Sequence, residues 1–145
     1  MARLFDFGLR VSSGLATNRE FHLPICYRDR MVEPIEHLRR LLLEIVALLT
    51  RGQEASRALR IEVATRDDQS LEAYLCSNDL WGGAGSIADE AIVSDAALRA
   101  QLESLLIRLG NLQLASQVAN PRTESWVRAF QSWQELGLRP NRRNS

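Results

Sequence analysis

The chain has 145 residues, 46% of them apolar and 25% charged, enough for one ordinary domain that buries about 68–70% of its unfolded surface. Such a composition excludes an intrinsically disordered chain and a mini-protein dependent on staples. Eighteen acids balance eighteen bases, and every base is Arg, so the chain offers no Schiff-base lysine and no P-loop lysine.

The charge is unevenly placed. Residues 1–30 hold five Arg and three acids, residues 137–145 hold three Arg and no acid, and residues 31–136 therefore carry a net −5. An acidic body with short basic ends does not suit nucleic acid; Arg139, Arg142 and Arg143 read as a solvated tail. No window of about 20 residues is free of charge, so no membrane span is expected. The apolar stretches near the N-terminus fall short of the roughly 7–15 residues of a signal-peptide core. A cytoplasmic protein follows, with Cys26 and Cys76 as reduced thiols.

Residues 1–30 have weak periodicity, interrupted by Gly8, Gly14, Asn18 and Pro24, and read as an extension ahead of a helical domain at 31–138 and a basic tail at 139–145. Pro34 suits the first turn of a helix. From there Ile35, Leu38, Leu42, Ile45 and Leu49 recur at helical spacing, with Leu41, Val46 and Leu48 widening the face. Gly52 ends this helix by accepting a left-handed conformation. Residues 53–64 fit two periods: Ala55, Leu59 and Val63 mark a helix, and Leu59, Ile61 and Val63 a strand. No second strand exists to pair with it, so a helix is expected. Asp68 can cap a helix over 69–77 that carries Leu71, Tyr74 and Leu75 inward.

Ser86 and Asp89 resemble a capping box and start a short helix to about Val93. Ser94 or Asp95 caps the longest helix, with Leu98, Leu102, Leu105, Leu109 and Leu112 on one stripe and Ile107, Leu114 and Val118 on a second. Gly110 would permit a close helix crossing. Asn120-Pro121 stops that helix and caps the last one, where Trp126, Phe130 and Trp133, beside Val127 and Leu136, form an apolar stripe and Gly137 ends the element. The expectation is an all-α, single-domain bundle of four main helices plus one or two short helices, mostly antiparallel.

The chemically suggestive segment runs from Ser77 to Ala91 and holds three of the eight glycines. Glycine permits positive φ and close approach, and a helix opens behind it, as in an anion site. Asn78, Asp79, Trp81, Gly82, Gly83, Gly85, Ser86, Asp89 and Glu90 are the ligand- or partner-binding candidates. Asp89 and Glu90 oppose a phosphate by like charge, so a cationic or polar ligand fits better. The structural alternative is a tight turn with Trp81 lying over the glycines as a lid on the core. This segment, together with Asn120-Pro-Arg-Thr-Glu-Ser-Trp126, resembles a family of small uncharacterised bacterial all-α proteins across roughly Met31 to Leu138. The resemblance implies a bacterial, cytoplasmic protein and carries no activity or catalytic residue.

Other chemistry is thin. His22 and Cys26 share an i,i+4 spacing, and His37 and Cys76 could join them only through the fold; two ligands do not make a zinc site. Cys76 follows Tyr74 and Leu75, which suggests a buried, inert thiol. All-α nucleotide pyrophosphatases are similar in size, but their magnesium site needs acidic pairs three apart on two helices. Only Glu33 and Glu36 form such a pair here. No catalytic set, metal or cofactor is implied. The leading expectation is a non-enzymatic, immunity- or antitoxin-like module that binds another bacterial protein. The alternative is a small-ligand binder or hydrolase built on the loop from Asn78 to Glu90.

Overall fold

The structure, a computed structural model, describes residues 25–138, with side chains described from residue 32 onward. The weakly patterned residues 1–24, His22, the Cys26 side chain and the basic tail 139–145 lie outside the described residues. The elements are α1 (Ile25–Arg51), α2 (Ala55–Ala64), α3 (Asp68–Leu75), α4 (Asn78–Trp81), α5 (Ile87–Glu90), α6 (Ala96–Ala115) and α7 (Thr123–Glu135). The fold is all-α, with no strand among the described residues. Helix α1 packs against α2 on one side and α6 on the other, and α6 in turn packs against α7.

Helix α1 starts at Ile25, so Pro34 lies inside it and not in its first turn. Proline lacks an N–H, which deprives the Arg30 carbonyl of its usual i+4 donor, a change that costs about 3 kcal/mol in a helix interior. What carries the helix is the face that follows: Ile35, Leu38, Leu42, Ile45 and Leu49 are buried, and so are Leu41, Val46 and Leu48. The face is wide because two helices cover it. At its end Gln53, with φ 62°, takes the left-handed conformation expected of Gly52. Gly52 serves a different purpose, since a Cβ there would lie 2.9 Å from Ile92 Cγ1.

Helix α2 forms as expected but turns its other stripe inward. Ala58, Ile61 and Ala64 are buried, whereas Leu59 is 56% and Val63 48% exposed. Both stripes have helical spacing; the inner one flanks a single isoleucine with two alanines, and small side chains let α2 lie close against α1. Helix α3 is capped by Asp67, which accepts from the Ser70 N–H at 2.8 Å, and not by Asp68. The Ser70 backbone and side-chain hydrogen bonds hold the Asp67 carboxyl below its ordinary range. Asp68 instead pairs with Arg39 of α1, whose Nε also donates to the Thr65 carbonyl at 3.0 Å. Leu71, Tyr74 and Leu75 are buried as the pattern requires. Cys76 is exposed, contrary to the expected buried thiol: it is the C-cap of α3, rotated about 100° past Leu75 and off the inner face.

Ser86 caps α5 by accepting from the Asp89 N–H at 3.2 Å. This helix ends at Glu90, short of Val93, because Ile92 adopts φ 53°. Asp95 caps α6 through the N–H groups of Ala97 and Leu98 at 3.1 and 3.0 Å. The buried face of α6 is rotated from the expected leucine stripe: Leu102, Leu106, Leu109 and Gln113 define it, with Glu103 and Gly110 beside them. Leu98, Leu105 and Leu112 flank the core, and Leu114 is exposed. Helix α7 begins at Thr123, later than Asn120-Pro121 suggests. Asn120 is buried; it accepts from the Arg122 N–H at 2.8 Å and donates to the carbonyls of Cys76 and Ser77 at 3.1 and 3.0 Å. Val127 and Phe130 are buried, Trp126 and Trp133 flank Phe130 with ring centres 5.4 and 5.6 Å away, and Leu136 is exposed.

Gly110 permits the α6–α7 crossing. A Cβ at this position would collide with Val127 Cγ2 and press on the Trp81 ring at 3.3 Å. In an open helix Gly→Ala gains about 0.8–1 kcal/mol, but overpacking a core costs typically 1–3 kcal/mol. Gly110→Ala is therefore expected to lower the stability read from chemical unfolding, by up to about 2 kcal/mol net; a raised stability would show that the crossing is loose.

Candidate functional site

The segment from Ser77 to Ala91 winds into α4, a glycine turn and α5, anchored from inside by Trp81. The Trp81 side chain is fully buried and its Nε1–H donates to Gln113 Oε1 at 2.8 Å. The Gln113 amide nitrogen donates onward to the carbonyls of Leu75 and Val118, each at 2.9 Å. The ring lies against Gly110 of α6, not over Gly83 or Gly85 as the lid reading expected. A Cβ on Gly83 would meet only Arg122 Nη1, at 2.9 Å, and one on Gly85 would meet nothing. Within the segment Gly82 N–H bonds the Asn78 carbonyl at 2.8 Å, Ser86 N–H the Gly83 carbonyl at 2.9 Å, and Glu90 N–H the Ser86 carbonyl at 2.9 Å, whereas no hydrogen bond among the described residues takes up the N–H groups of Gly83, Ala84 and Gly85. Only Gly85, at φ 85°, takes the left-handed conformation among the three turn glycines.

Four arginines hold this segment from outside, and none of them stood out in the sequence. Arg57 donates to the Gly85 carbonyl at 3.3 Å and lies 3.7 Å from Glu90, while its other nitrogen holds Glu54 at 2.6 Å. Arg60 pairs with Asp79 at 3.4 Å. Arg122 donates to the Gly82 carbonyl. Arg99 donates to the carbonyls of Ala91 at 2.7 Å, Ile87 at 3.3 Å and Ala88, with its Nε on Glu103 Oε1 at 2.9 Å. Its guanidinium also lies 5.7 Å from the Phe130 ring centre.

The nine candidate residues are thus divided. Trp81, Gly82 and Ser86 are buried; Asp79, Gly83 and Asp89 are half-buried; Asn78, Gly85 and Glu90 are exposed. Asp79 and Gly85 share a cleft with Arg57, Arg60, Tyr74 and Ile87, and its volume of about 10 Å³ gives room for one water at most. Burial raises the Tyr74 phenol well above its ordinary pKa; Asp79 adds to this, and Arg60 and Arg57 oppose it.

Two consequences can be measured. Gln113→Leu leaves the Trp81 N–H and two carbonyls without partners, and a buried unsatisfied group costs about 1–3 kcal/mol. Unfolding should shift by at least that much, whereas a small effect would mean that water replaces the amide. For Tyr74, the folded pKa lies above the unfolded value of about 10. The neutral phenol is favoured in the fold, so its stability contribution is complete below pH ~10 and is lost as pH rises beyond it. Tyr74→Phe should flatten the alkaline limb of the stability profile above pH ~10; a limb as steep as in the wild type would assign the loss to other groups.

A larger feature lies elsewhere, in a groove of about 560 Å³ between α1 and α6. Ala47, Leu48, Ala100 and Leu105 line it together with Glu44, Arg51, Gln101, Ser104 and Arg108. Arg108 and Glu44, both exposed, pair across it at 3.6 Å. Leu43, 46% exposed, lies one turn before Ala47 on α1. The signal in the sequence was the excess of apolar residues on α1 and α6 over what one stripe needs.

No group of three or more His, Cys, Asp or Glu is placed to hold a metal ion among the described residues. No described helix is long and apolar enough to cross a membrane. No family model matches the chain, and neither a curated protein nor a solved structure matches it.

Proposed function

We propose that this chain is a protein-interaction module whose partner-binding face is the groove between α1 and α6. The observation that carries the reading is the chemistry of that groove: an apolar centre at Ala47, Leu48 and Leu105 with Glu44, Arg51 and Arg108 around it. Apolar centre and polar rim is the anatomy of protein interfaces. The fitting occupant is an amphipathic segment of another protein, with apolar side chains for the centre and charges of both signs for the rim. The four longer helices, α1, α2, α6 and α7, act as the bundle that presents it. The net −5 of residues 31–136 favours a basic partner through long-range attraction. An immunity- or antitoxin-like role in a bacterial cytoplasm agrees with these features and with the family resemblance. The segment from Asn78 to Glu90 supports a ligand site less well, since Arg57, Arg60, Arg99 and Arg122 hold its carboxylates Asp79 and Glu90 and the carbonyls of Gly82, Gly85, Ile87 and Ala88.

The test uses the partner recovered with the wild-type chain and then purified. Ala47→Arg and Arg108→Glu should each weaken its binding at least about tenfold, roughly 1.4 kcal/mol, in titration calorimetry. Leu59→Arg, on the exposed stripe of α2, should leave it unchanged, and circular dichroism should show all three variants folded. Full affinity in both groove variants, or a loss confined to Leu59→Arg, would move the interface to another face and end the reading.

A further inference from the structure

We propose that a second cleft, between α6 and the C-terminal turn of α7, is a binding subsite for a guanidinium group. This inference is independent of the groove between α1 and α6. The cleft has a volume of about 350 Å³ and is lined by Glu103, Ser104, Trp133, Gln134, Gly137 and Leu138, with Ala100 behind them.

Three features select a cation. The first is Glu103, only 7% exposed yet lining the cleft. Its Oε1 accepts from Arg99 Nε at 2.9 Å, and no hydrogen bond among the described residues reaches Oε2. The second oxygen opens onto the cleft, and a carboxylate oxygen free to accept is matched best by a charged donor. Arg99 does not fill the need. Its remaining nitrogens donate to the carbonyls of Ile87, Ala88 and Ala91. The second feature is Trp133, half-buried in the cleft wall and braced edge-on by Phe130 with ring centres 5.6 Å apart. An indole face attracts cations, and Arg stacks on it. The third is the end of α7 itself. Trp133, Gln134, Gly137 and Leu138 belong to its last turn and the residues after it, so the negative end of a helix of 13 residues meets the cleft.

A guanidinium suits the arrangement better than an ammonium. Gln134 Nε2 donates to Ser104 Oγ at 3.2 Å, which leaves its carbonyl oxygen as an acceptor. A planar fork can give one N–H to Glu103 Oε2 and another to an amide oxygen while its face stacks on Trp133. Two sources of the same chemistry exist. One is this chain's own Arg139, Arg142 or Arg143, which follow Leu138 within five residues. The other is an arginine of a second molecule.

The probe is N-acetyl-arginine amide, followed through the indole N–H resonance of Trp133 by nuclear magnetic resonance. It is titrated into the full chain and into the full chain bearing Arg139→Gln, Arg142→Gln and Arg143→Gln together. Saturable movement of the Trp133 signal is expected in the triple variant. The uncharged isostere N-acetyl-citrulline amide should produce none. If the tail is the source, the full chain binds the probe at least about tenfold more weakly than the triple variant; if a second molecule is the source, the two bind it alike. In the triple-variant background, Glu103→Gln should abolish saturation. Trp133→Leu, which spares the Glu103–Arg99 pair, is read on the Gln134 side-chain amide signals and should weaken binding several-fold, so a folding defect in the first variant does not obscure the result. The subsite is refuted if no saturable response occurs in the triple variant, if citrulline amide matches arginine amide, or if folded Glu103→Gln binds as well as its parent.

Discussion

A single buried hydrogen bond organises the centre of this molecule: the Trp81 indole N–H on the Gln113 side-chain oxygen, 2.8 Å long and between two side chains with no solvent exposure. Burying an indole gains much apolar area but requires a partner for its N–H. The glutamine supplies the partner and then needs two acceptors of its own, the carbonyls of Leu75 and Val118. One amide therefore ties α4, the end of α3 and the turn after α6 into a fixed geometry. The flat ring also needs a gap on α6, which Gly110 provides three residues before Gln113. The same gap admits Val127 and so determines how closely α7 approaches. Changing any of these residues affects all of the others.

The absence of lysine has a structural counterpart. Arg39, Arg57, Arg99 and Arg122 each donate to a backbone carbonyl outside their own helix, from 8 to 40 residues away, and three of them hold a carboxylate as well. An ammonium is a compact point charge, whereas the guanidinium fork offers five donors in one plane. Arg99 uses that plane fully, joining three carbonyls around α5, the Glu103 carboxylate and the Phe130 ring. Helices of four residues such as α4 and α5 have little stability of their own. They persist because side chains from α2, α6 and the start of α7 satisfy their carbonyls.

The two surfaces proposed for recognition differ in chemistry. The groove between α1 and α6 is apolar with paired charges at its edge. The cleft at the end of α7 combines a buried carboxylate, an indole and a helix C-terminus. The glycine segment that drew attention in the sequence has the composition of a ligand loop, but arginines hold its carboxylates Asp79 and Glu90 and the carbonyls of Gly82 and Gly85. Glycine there answers steric demands, at Gly83 from the Arg122 guanidinium and at Gly85 from a left-handed backbone.

Much of the fold was legible because it rests on local physics. Periodicity and caps located the helices around Leu38–Leu49, Leu71–Leu75, Leu102–Leu109 and Val127–Phe130; Ser86 was readable as a cap, and the cap of α6 was narrowed to Ser94 or Asp95, of which the structure uses Asp95. The inward turn of Ile61 over Leu59 was not legible, nor was the rotation of α6 toward Leu106 and Gln113, nor the exposure of Cys76. The start of α1 at Ile25, upstream of Pro34, was equally hidden. Each is a choice between alternatives that a single segment satisfies equally well. The sequence by itself determined an all-α chain, the approximate place of its longer helices and a residue, Gly110, that permits a close crossing. Tertiary structure alone decided which stripe is buried, which arginine holds which carbonyl and where the clefts open. Helical spacing is set by neighbours three and four residues away, whereas Trp81 lies 32 residues from Gln113 and Thr65 lies 26 from Arg39, and only the packed chain brings such pairs within bonding range.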